Sequence, residues 1–162
     1  MDMGKAYAKQ FGFHCVFPVL ANLYGPGDHL TPDRAHVIAD LMLRAKTSRT
    51  ELSVWGTGKA EREFLFIDDA VEGIVATLQG QPGEFYNVGT GVSTPIRKLA
   101  ELMIDIINPT LNLTFDKTKP DGQLLKVMNV SKMMEECQWK AQTSLRIGLE
   151  KTWMWYSAQI GV

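Results

Sequence analysis

Apolar and polar residues follow one another in short blocks whose period changes between that of a strand and that of a helix. A weak 3.6-residue apolar stripe over the first dozen positions predicts a helix that Gly12 ends. The continuous apolar run over 14–20 is typical of a strand buried on both faces of a parallel sheet. The Gly-Pro-Gly sequence at 25–27 then predicts a turn.

Further helices are predicted wherever a helix-start residue precedes an apolar stripe. Thr31-Pro32 and Thr94-Pro95 each place a threonine cap before a proline at the first helical position. Asp69 with Glu72 resembles a capping box, and Ser131 is expected to cap a short helix. The stripes expected to face the core are Ala35, Ile38, Leu41, Met42 and Ala45; Ile96, Leu99, Ala100, Met103 and Ile107; and Leu145, Leu149, Trp153 and Tyr156.

Short extended segments lie between these helices. They are expected at 52–55, 63–67, 84–88, 111–115 and 126–128, most of them beside glycine turns. Strands that alternate with helices predict an α/β fold. No internal repeat, low-complexity segment or long linker divides the sequence, so a single unit is expected.

The composition is that of an ordinary globular domain and excludes several functional classes. The 162 residues include 17 Lys+Arg against 18 Asp+Glu, which gives no electrostatic footprint for nucleic acid or an anionic membrane. No apolar run approaches the roughly 18 residues of a membrane span. Cys15 and Cys137 stand far apart and outside any C-x-x-C pair, so no metal or redox site is expected. Reduced thiols and an N-terminus unlike a signal peptide predict a cytoplasmic location.

The glycine-containing loop from Asn87 to Gly91 is a candidate nucleotide loop. Position 94 is threonine, so the loop does not continue as G-x-G-x-x-G, and a lone G-x-G is a weak indication. A turn at a strand end, where glycine reaches positive φ, is the better explanation. By its own residues, the chain has no dinucleotide phosphate loop.

Polar and aromatic side chains on neighbouring elements are candidates for an anionic ligand. His36 is expected one turn inside a helix, where the N-terminus disfavours the imidazolium, with Arg44 on the same side. The planar fork of Arg62 suits a diphosphate, Trp55 can cover a base or sugar, and Asp121 can accept hydrogen bonds from hydroxyls. A surface histidine, exposed arginines, a core tryptophan and a plain turn are the simpler interpretations.

The order of motifs along the chain resembles that of a known enzyme family. NLYGPGD at 22–28, WGTGKAEREFLFIDDAVEG at 55–73, FYNVGTG at 85–91 and LRIGLEKTWMW at 145–155 resemble the C-terminal half of extended short-chain dehydrogenases that act on nucleotide sugars. The resemblance runs from about residue 1 to residue 156. It implies an α/β fold, the C-terminal part of a Rossmann-like dehydrogenase, with late parallel strands plus the smaller substrate-binding domain. Residues 1–30 would be the last part of the cofactor domain, and residues 31–162 mainly the substrate-binding domain.

Two features resemble the GDP-L-fucose synthases within that family, which convert GDP-4-keto-6-deoxymannose into GDP-L-fucose with NADPH. His36-Val-Ile follows NLYGPGD at their spacing, and FDKTKPDG stands at 115–122. The resemblance implies that His36 is the acid/base histidine and also contacts NADP(H). It further implies that Leu20, Ala21, Asn22 and Leu23 line the nicotinamide side of the cofactor site, and that Arg44, Trp55, Arg62 and Asp121 hold the GDP-sugar. A UDP- or dTDP-sugar epimerase or dehydratase, a non-catalytic nucleotide-sugar-binding subunit, and NAD in place of NADP stay open.

Several parts of the family's catalytic machinery would lie upstream of this sequence. They are its Gly-rich loop, its catalytic Ser/Thr, its second acid/base Cys and its Tyr-x-x-x-Lys pair. The chain is therefore expected to be a fragment, whether a truncation, a split gene product or a standalone subunit. We expect it to need an N-terminal half or a partner chain, to be inactive alone, and to form a homodimer as the full-length enzyme.

Overall fold

The computed structural model describes residues 2–29 and 36–159, which form six helices and nine strands. The helices are α1 (Asp2–Phe11), α2 (Val37–Thr47), α3 (Ile67–Ala76), α4 (Ile96–Ile107), α5 (Ser131–Cys137) and α6 (Leu145–Gln159). The strands are β1 (Phe17–Leu20), β2 (Asn22–Tyr24), β3 (Glu51–Trp55), β4 (Glu61–Arg62), β5 (Phe64–Phe66), β6 (Phe85–Val88), β7 (Thr94–Pro95), β8 (Asn112–Asp116) and β9 (Leu125–Lys126). A 3-10 turn over Thr77–Gln79 follows α3.

Parallel pairing dominates the sheets. The pairs β1–β6, β2–β5 and β3–β8 are all parallel, and β4 lies between antiparallel β7 and parallel β9. Parallel strands need crossovers, which the intervening helices provide. The predicted α/β class and its parallel strands are therefore confirmed.

Strand β5 separates two hydrophobic cores. Because successive side chains of a strand point to opposite faces, Phe64 and Phe66 pack into the larger core, and Leu65 packs into the smaller one. The larger core also receives the buried stripes of α2, α4 and α6, and the smaller core includes Tyr86 and Met133. Most of the predicted stripe residues are buried, and these are Ile38, Leu41, Met42, Ala45, Leu99, Ala100, Met103, Leu149 and Tyr156.

The predicted capping box at Asp69 is wrong. Asp69 lies inside α3 and is 4% exposed. Its carboxylate accepts the backbone N–H groups of Gln142 and Thr143 at 3.1 and 2.8 Å and the Thr143 hydroxyl at 2.9 Å. Asp69 thus fixes the segment before α6 and does not cap the start of a helix, because its acceptor oxygens are bonded to Gln142 and Thr143.

Two other helix starts differ from the prediction. Thr94 and Pro95 form β7, since Thr94 pairs with Arg62, and α4 begins one residue later. Ser131 is the first residue of α5, and its backbone N–H donates to Asn129 Oδ1 at 3.0 Å. Ser131 is therefore not the cap of α5, and the side chain that accepts its N–H is that of Asn129, two residues upstream.

The predicted helix start at Thr31-Pro32, with Ala35 in its stripe, lies outside the described residues. The described part of α2 begins at Val37, and His36 precedes it as an N-cap with extended backbone (φ −71°, ψ 165°). His36 is therefore not one turn inside the helix. It is the residue directly before the first turn of α2.

Strand β1 is also less buried than its apolar run predicts. Val19 is 39% exposed, and the other three residues of the strand are half-buried. Among the strands of residues 2–29 and 36–159, β1 pairs with β6 alone, so one edge carries no ladder. In the same part of the chain, no helix has the length and apolar character needed to cross a membrane.

Candidate functional site

A cavity of about 1050 Å³ lies between α2, β3, β4 and the loop before β9. Its volume is at the upper end of the usual range for small-molecule sites. Apolar side chains such as Ile38, Val54 and Phe64 line part of it. Seven of the nine residues that the sequence analysis singled out also line it, and these are Asn22, Leu23, His36, Arg44, Trp55, Arg62 and Asp121.

His36 reaches this cavity from the start of α2. Its Nδ1 lies 3.0 Å from Oδ1 of Asp28, a residue of the turn after β2. The histidine side chain is 71% exposed and the aspartate side chain only 16% exposed. An exposed imidazole held at one nitrogen is accessible to a ligand in the cavity.

Arg44 projects from α2 and is fixed against the neighbouring strand. One guanidinium nitrogen donates to Asp40 Oδ2 at 3.1 Å, one turn earlier on the helix. The other donates to the backbone carbonyl of Ser53 in β3. The helix and the strand therefore both orient this guanidinium, and about a third of the side chain is exposed.

Arg62 lies in β4, and its guanidinium is bonded to backbone carbonyls. Nη1 donates to the carbonyl of Glu61 at 2.8 Å and to the carbonyl of Gln123. Among residues 2–29 and 36–159, no carboxylate forms an ion pair with it. Its positive charge is therefore held in place without being neutralised.

Asp121 closes the turn that follows β3. Its carboxylate accepts the backbone N–H of Thr57 at 2.6 Å and the Thr57 hydroxyl at 2.8 Å. These hydrogen bonds hold the pKa of the Asp121 carboxyl below its ordinary value. A Cβ at Gly56, where φ is +74°, would collide with this carboxylate. The close approach of turn and carboxylate thus requires glycine.

Trp55 stands at the rim of the cavity, at the end of β3. It is 65% exposed, so the interpretation as a core tryptophan is wrong. The Lys119 ammonium lies 5.7 Å from its ring centroid. An exposed indole at a cavity rim is available to a flat ligand group.

Leu20 and Ala21 lie apart from the main cavity and line a smaller one of about 260 Å³. Asn22 lines both cavities, while Leu23 lines only the larger one. The Asn22 side-chain amide donates to the backbone carbonyl of Glu63 at 2.6 Å, which fixes the asparagine at the boundary. Val19, Glu63 and residues 126–128 complete the lining of the smaller cavity.

The glycine-containing loop at 87–91 is occupied by a carboxylate of the protein itself. Oε1 of Glu63 accepts the backbone N–H groups of Thr90 and Gly91 at 2.6 and 2.8 Å. Oε2 accepts the N–H of Met128 at 2.6 Å. Glu63 is 1% exposed. The loop N–H groups are thus already used, which confirms the structural-turn interpretation.

Glu63 was not among the residues predicted to have a functional role. The available indication was its position directly before the apolar run Phe-Leu-Phe, because a glutamate that is buried beside such a strand needs hydrogen-bond donors. Within the described ranges, no group of three or more His, Cys, Asp or Glu side chains is arranged to hold a metal ion.

Comparisons with known proteins agree with this arrangement. Residues 1–89 match the NAD dependent epimerase/dehydratase family. The chain is 39% identical over 161 residues to the probable GDP-L-fucose synthase 1 of Oryza sativa subsp. japonica, covering 96% of this chain and 49% of that protein. The chain thus spans about half the length of the curated relatives it matches.

Solved structures share the fold. The crystal structure of a GDP-6-OMe-4-keto-L-xylo-heptose reductase from C. jejuni superposes with a TM-score of 0.86 at 24% identity, over 98% of this chain and 58% of that one. The GDP-mannoheptose C4 reductase of Campylobacter jejuni, solved with NADP bound, gives 0.80 at 23% identity, over 96% and 56%. At these identities the likeness concerns the fold alone.

Proposed function

The chain belongs to the NAD dependent epimerase/dehydratase family, and we propose that it supplies the GDP-sugar-binding half of a GDP-L-fucose synthase. Such an enzyme converts GDP-4-keto-6-deoxymannose into GDP-L-fucose with NADPH. The observation that carries the proposal is the single cavity lined by a histidine, two arginines, an exposed tryptophan and an aspartate. The relative named GDP-L-fucose synthase supports the same activity. We further propose residues 1–30 as the end of a cofactor domain and residues 31–162 as mainly the substrate-binding domain.

Arg62 is the best candidate for the diphosphate of the substrate. Its guanidinium keeps its charge, because its recorded partners are carbonyls and not carboxylates. Arg44 already pairs with Asp40, so it contributes less net charge to the cavity. Trp55 is proposed to cover the base or a sugar face from the rim, and Asp121 to accept hydrogen bonds from hydroxyls or the base edge.

His36 is proposed as the acid/base residue of the epimerisation. A ketone at C4 acidifies the protons at C3 and C5, so inverting those carbons requires a positioned base and acid. An exposed imidazole that lines the cavity can act as one of these two groups. The other group, on the opposite face of the sugar, would be the family's second acid/base Cys, which is expected upstream of this sequence.

We propose that the smaller cavity takes one face of the nicotinamide ring. Leu20 and Ala21 offer apolar surface, and Asn22 offers an amide at the boundary between the two cavities. Hydride for reducing the C4 ketone is the chemistry that a bound NADPH supplies. Leu23 and His36 are proposed to approach the same ring from the larger cavity.

Nucleotide competition on the 162-residue chain tests the proposal. We expect GDP to bind at least tenfold more tightly than UDP or dTDP in isothermal titration. The variant R62M should lose at least tenfold in GDP affinity, because it removes the unpaired positive charge that is proposed to bind the diphosphate. Arg49 is an exposed arginine outside the cavity lining, so R49M is the matched control and should bind like the wild type.

Three results would count against the proposal. Tighter binding of UDP or dTDP would favour the epimerase or dehydratase alternative for those sugars. Equal losses in R62M and R49M would show that general charge, and not the cavity, holds the nucleotide. The absence of binding by any of the three nucleotides would remove the nucleotide-sugar site itself.

A further inference from the structure

Asp28 and His36 are in contact, but their side chains differ strongly in solvent exposure. Asp28 Oδ1 accepts the backbone N–H of the adjacent His29 at 2.8 Å and lies 3.0 Å from Nδ1 of His36. The carboxylate side chain is mostly buried while the imidazole is mostly exposed. The aspartate therefore approaches the ring from the protein side, and the ring itself lines the cavity.

The second oxygen of Asp28 adds an independent observation. Oδ2 is buried and has no hydrogen-bond partner within the described part of the chain. Capping the turn at His29 needs only one oxygen acceptor, which an asparagine or serine also offers. The turn therefore does not explain why a mostly buried carboxylate with a second, unbonded oxygen stands at this position. Among the described residues, His36 is the only side chain bonded to Asp28 that can carry a positive charge.

We propose that Asp28 is the positioning residue for His36, fixing the imidazole as the Nδ1–H tautomer so that Nε2 carries the proton transfer. This inference rests on the acid/base role proposed above for His36 and deepens it. A carboxylate that accepts Nδ1–H selects that tautomer and stabilises the imidazolium that forms when Nε2 takes up a proton. Among the described residues, Nε2 makes no hydrogen bond of its own.

The proton step is then balanced at named atoms. The C–H bond beside the substrate ketone breaks, an N–H bond forms at Nε2, and the electron pair stays on the substrate as an enolate. The positive charge on the ring faces the carboxylate of Asp28. Inversion requires that the opposite face of the same carbon take its proton from a second acid. Loss of the Nε2 proton from His36 then restores the neutral Nδ1–H imidazole for the next turnover.

The tautomer can be measured on the 162-residue chain without any reaction. Histidine labelled with 15N reports by NMR whether the neutral ring carries its proton on Nδ1 or on Nε2, and H36Q assigns the signal among the three histidines. We expect neutral His36 to be mostly Nδ1–H in the wild type. In D28A it should return to a majority of Nε2–H, the usual form of an unconstrained imidazole.

A matched control separates the contact from the loss of any turn carboxylate. Asp116 accepts the backbone N–H of Thr118 at 3.0 Å within its own turn, so D116A should leave the His36 tautomer unchanged. A wild-type ring that is mainly Nε2–H overturns the inference, and so does a tautomer that D28A does not change. If D28A fails to fold, the wild-type spectrum alone decides. Because the tautomer does not depend on GDP binding, this measurement and the nucleotide competition fail independently.

Discussion

Replacing Glu63 with glutamine tests how the segments around both cavities are held together. The carboxylate joins the 89–91 loop to the segment after β9, through Thr90, Gly91 and Met128. The backbone carbonyl of the same residue holds Asn22 at the boundary of the cavities. Glutamine keeps the shape and one acceptor oxygen but turns an NH2 group towards a backbone N–H. At least one hydrogen bond to the carboxylate is therefore lost.

The expected cost follows from the number of hydrogen bonds. A hydrogen bond to a charged group contributes about 1.5–3 kcal/mol, and a buried donor left unpaired costs about 1–3 kcal/mol more. Because these contributions overlap, we expect E63Q to lower the free energy of unfolding by about 2–4 kcal/mol. With an m-value of about 2 kcal/mol/M in urea, the midpoint falls by about 1–2 M.

Urea unfolding followed by tryptophan fluorescence measures this change, with E72Q as the matched control. Glu72 is an exposed glutamate of α3, so E72Q should stay within about 0.5 kcal/mol of the wild type. Amide exchange of Thr90, Gly91 and Met128 should become faster in E63Q and not in E72Q. Equal stability of E63Q and E72Q, with unchanged exchange, would refute the assignment of Glu63 as the residue that joins these segments.

Four further substitutions test the packing and the electrostatics of the described structure. Tyr156 has a buried hydroxyl without a partner among the described residues, so Y156F should leave stability unchanged or raise it by up to about 1 kcal/mol in urea unfolding. The Tyr86 hydroxyl donates to Glu136 at 2.6 Å, so Y86F should instead lose about 1–3 kcal/mol; the reverse order would contradict both assignments. A Cβ at Gly148 would lie 2.8 Å from Tyr24 Cζ, so G148A should lower the thermal midpoint by a few degrees although alanine favours helices; a gain would refute the close packing. Asp121 has a pKa below its ordinary 3.8, so its stabilising contribution should be complete above about pH 4 and disappear as the pH falls through the lower folded value. The stability difference between wild type and D121N should shrink over that acid range, and a constant difference would contradict the lowered pKa.

The helices and strands whose apolar residues follow a clear pattern could be predicted from the sequence. The stripe of α4 and the apolar run of β5 identify both the element and its buried face, because burial of a regular face imposes the period. The two-residue strands β4 and β7 carry no period, and only their pairing defines them. Helix starts were the weakest predictions, since Asp69 finds its partners 73 and 74 residues away.

The candidate site, too, could be predicted from the sequence only in part. Motif order located the side chains that share the larger cavity, including Arg62 and Trp55. It gave no indication that Asp121 is already bonded to Thr57, or that the glycine loop is bound by Glu63. Those contacts join segments 27 and 64 residues apart, and only the folded chain brings them together.

A crystal structure of the chain with GDP tests the central claim most directly. We expect the diphosphate within hydrogen-bond distance of the Arg62 guanidinium in the cavity between α2, β3 and β4, with the nucleotide in contact with the indole of Trp55. GDP bound outside that cavity, or inside it with the diphosphate turned away from Arg62, would contradict the account.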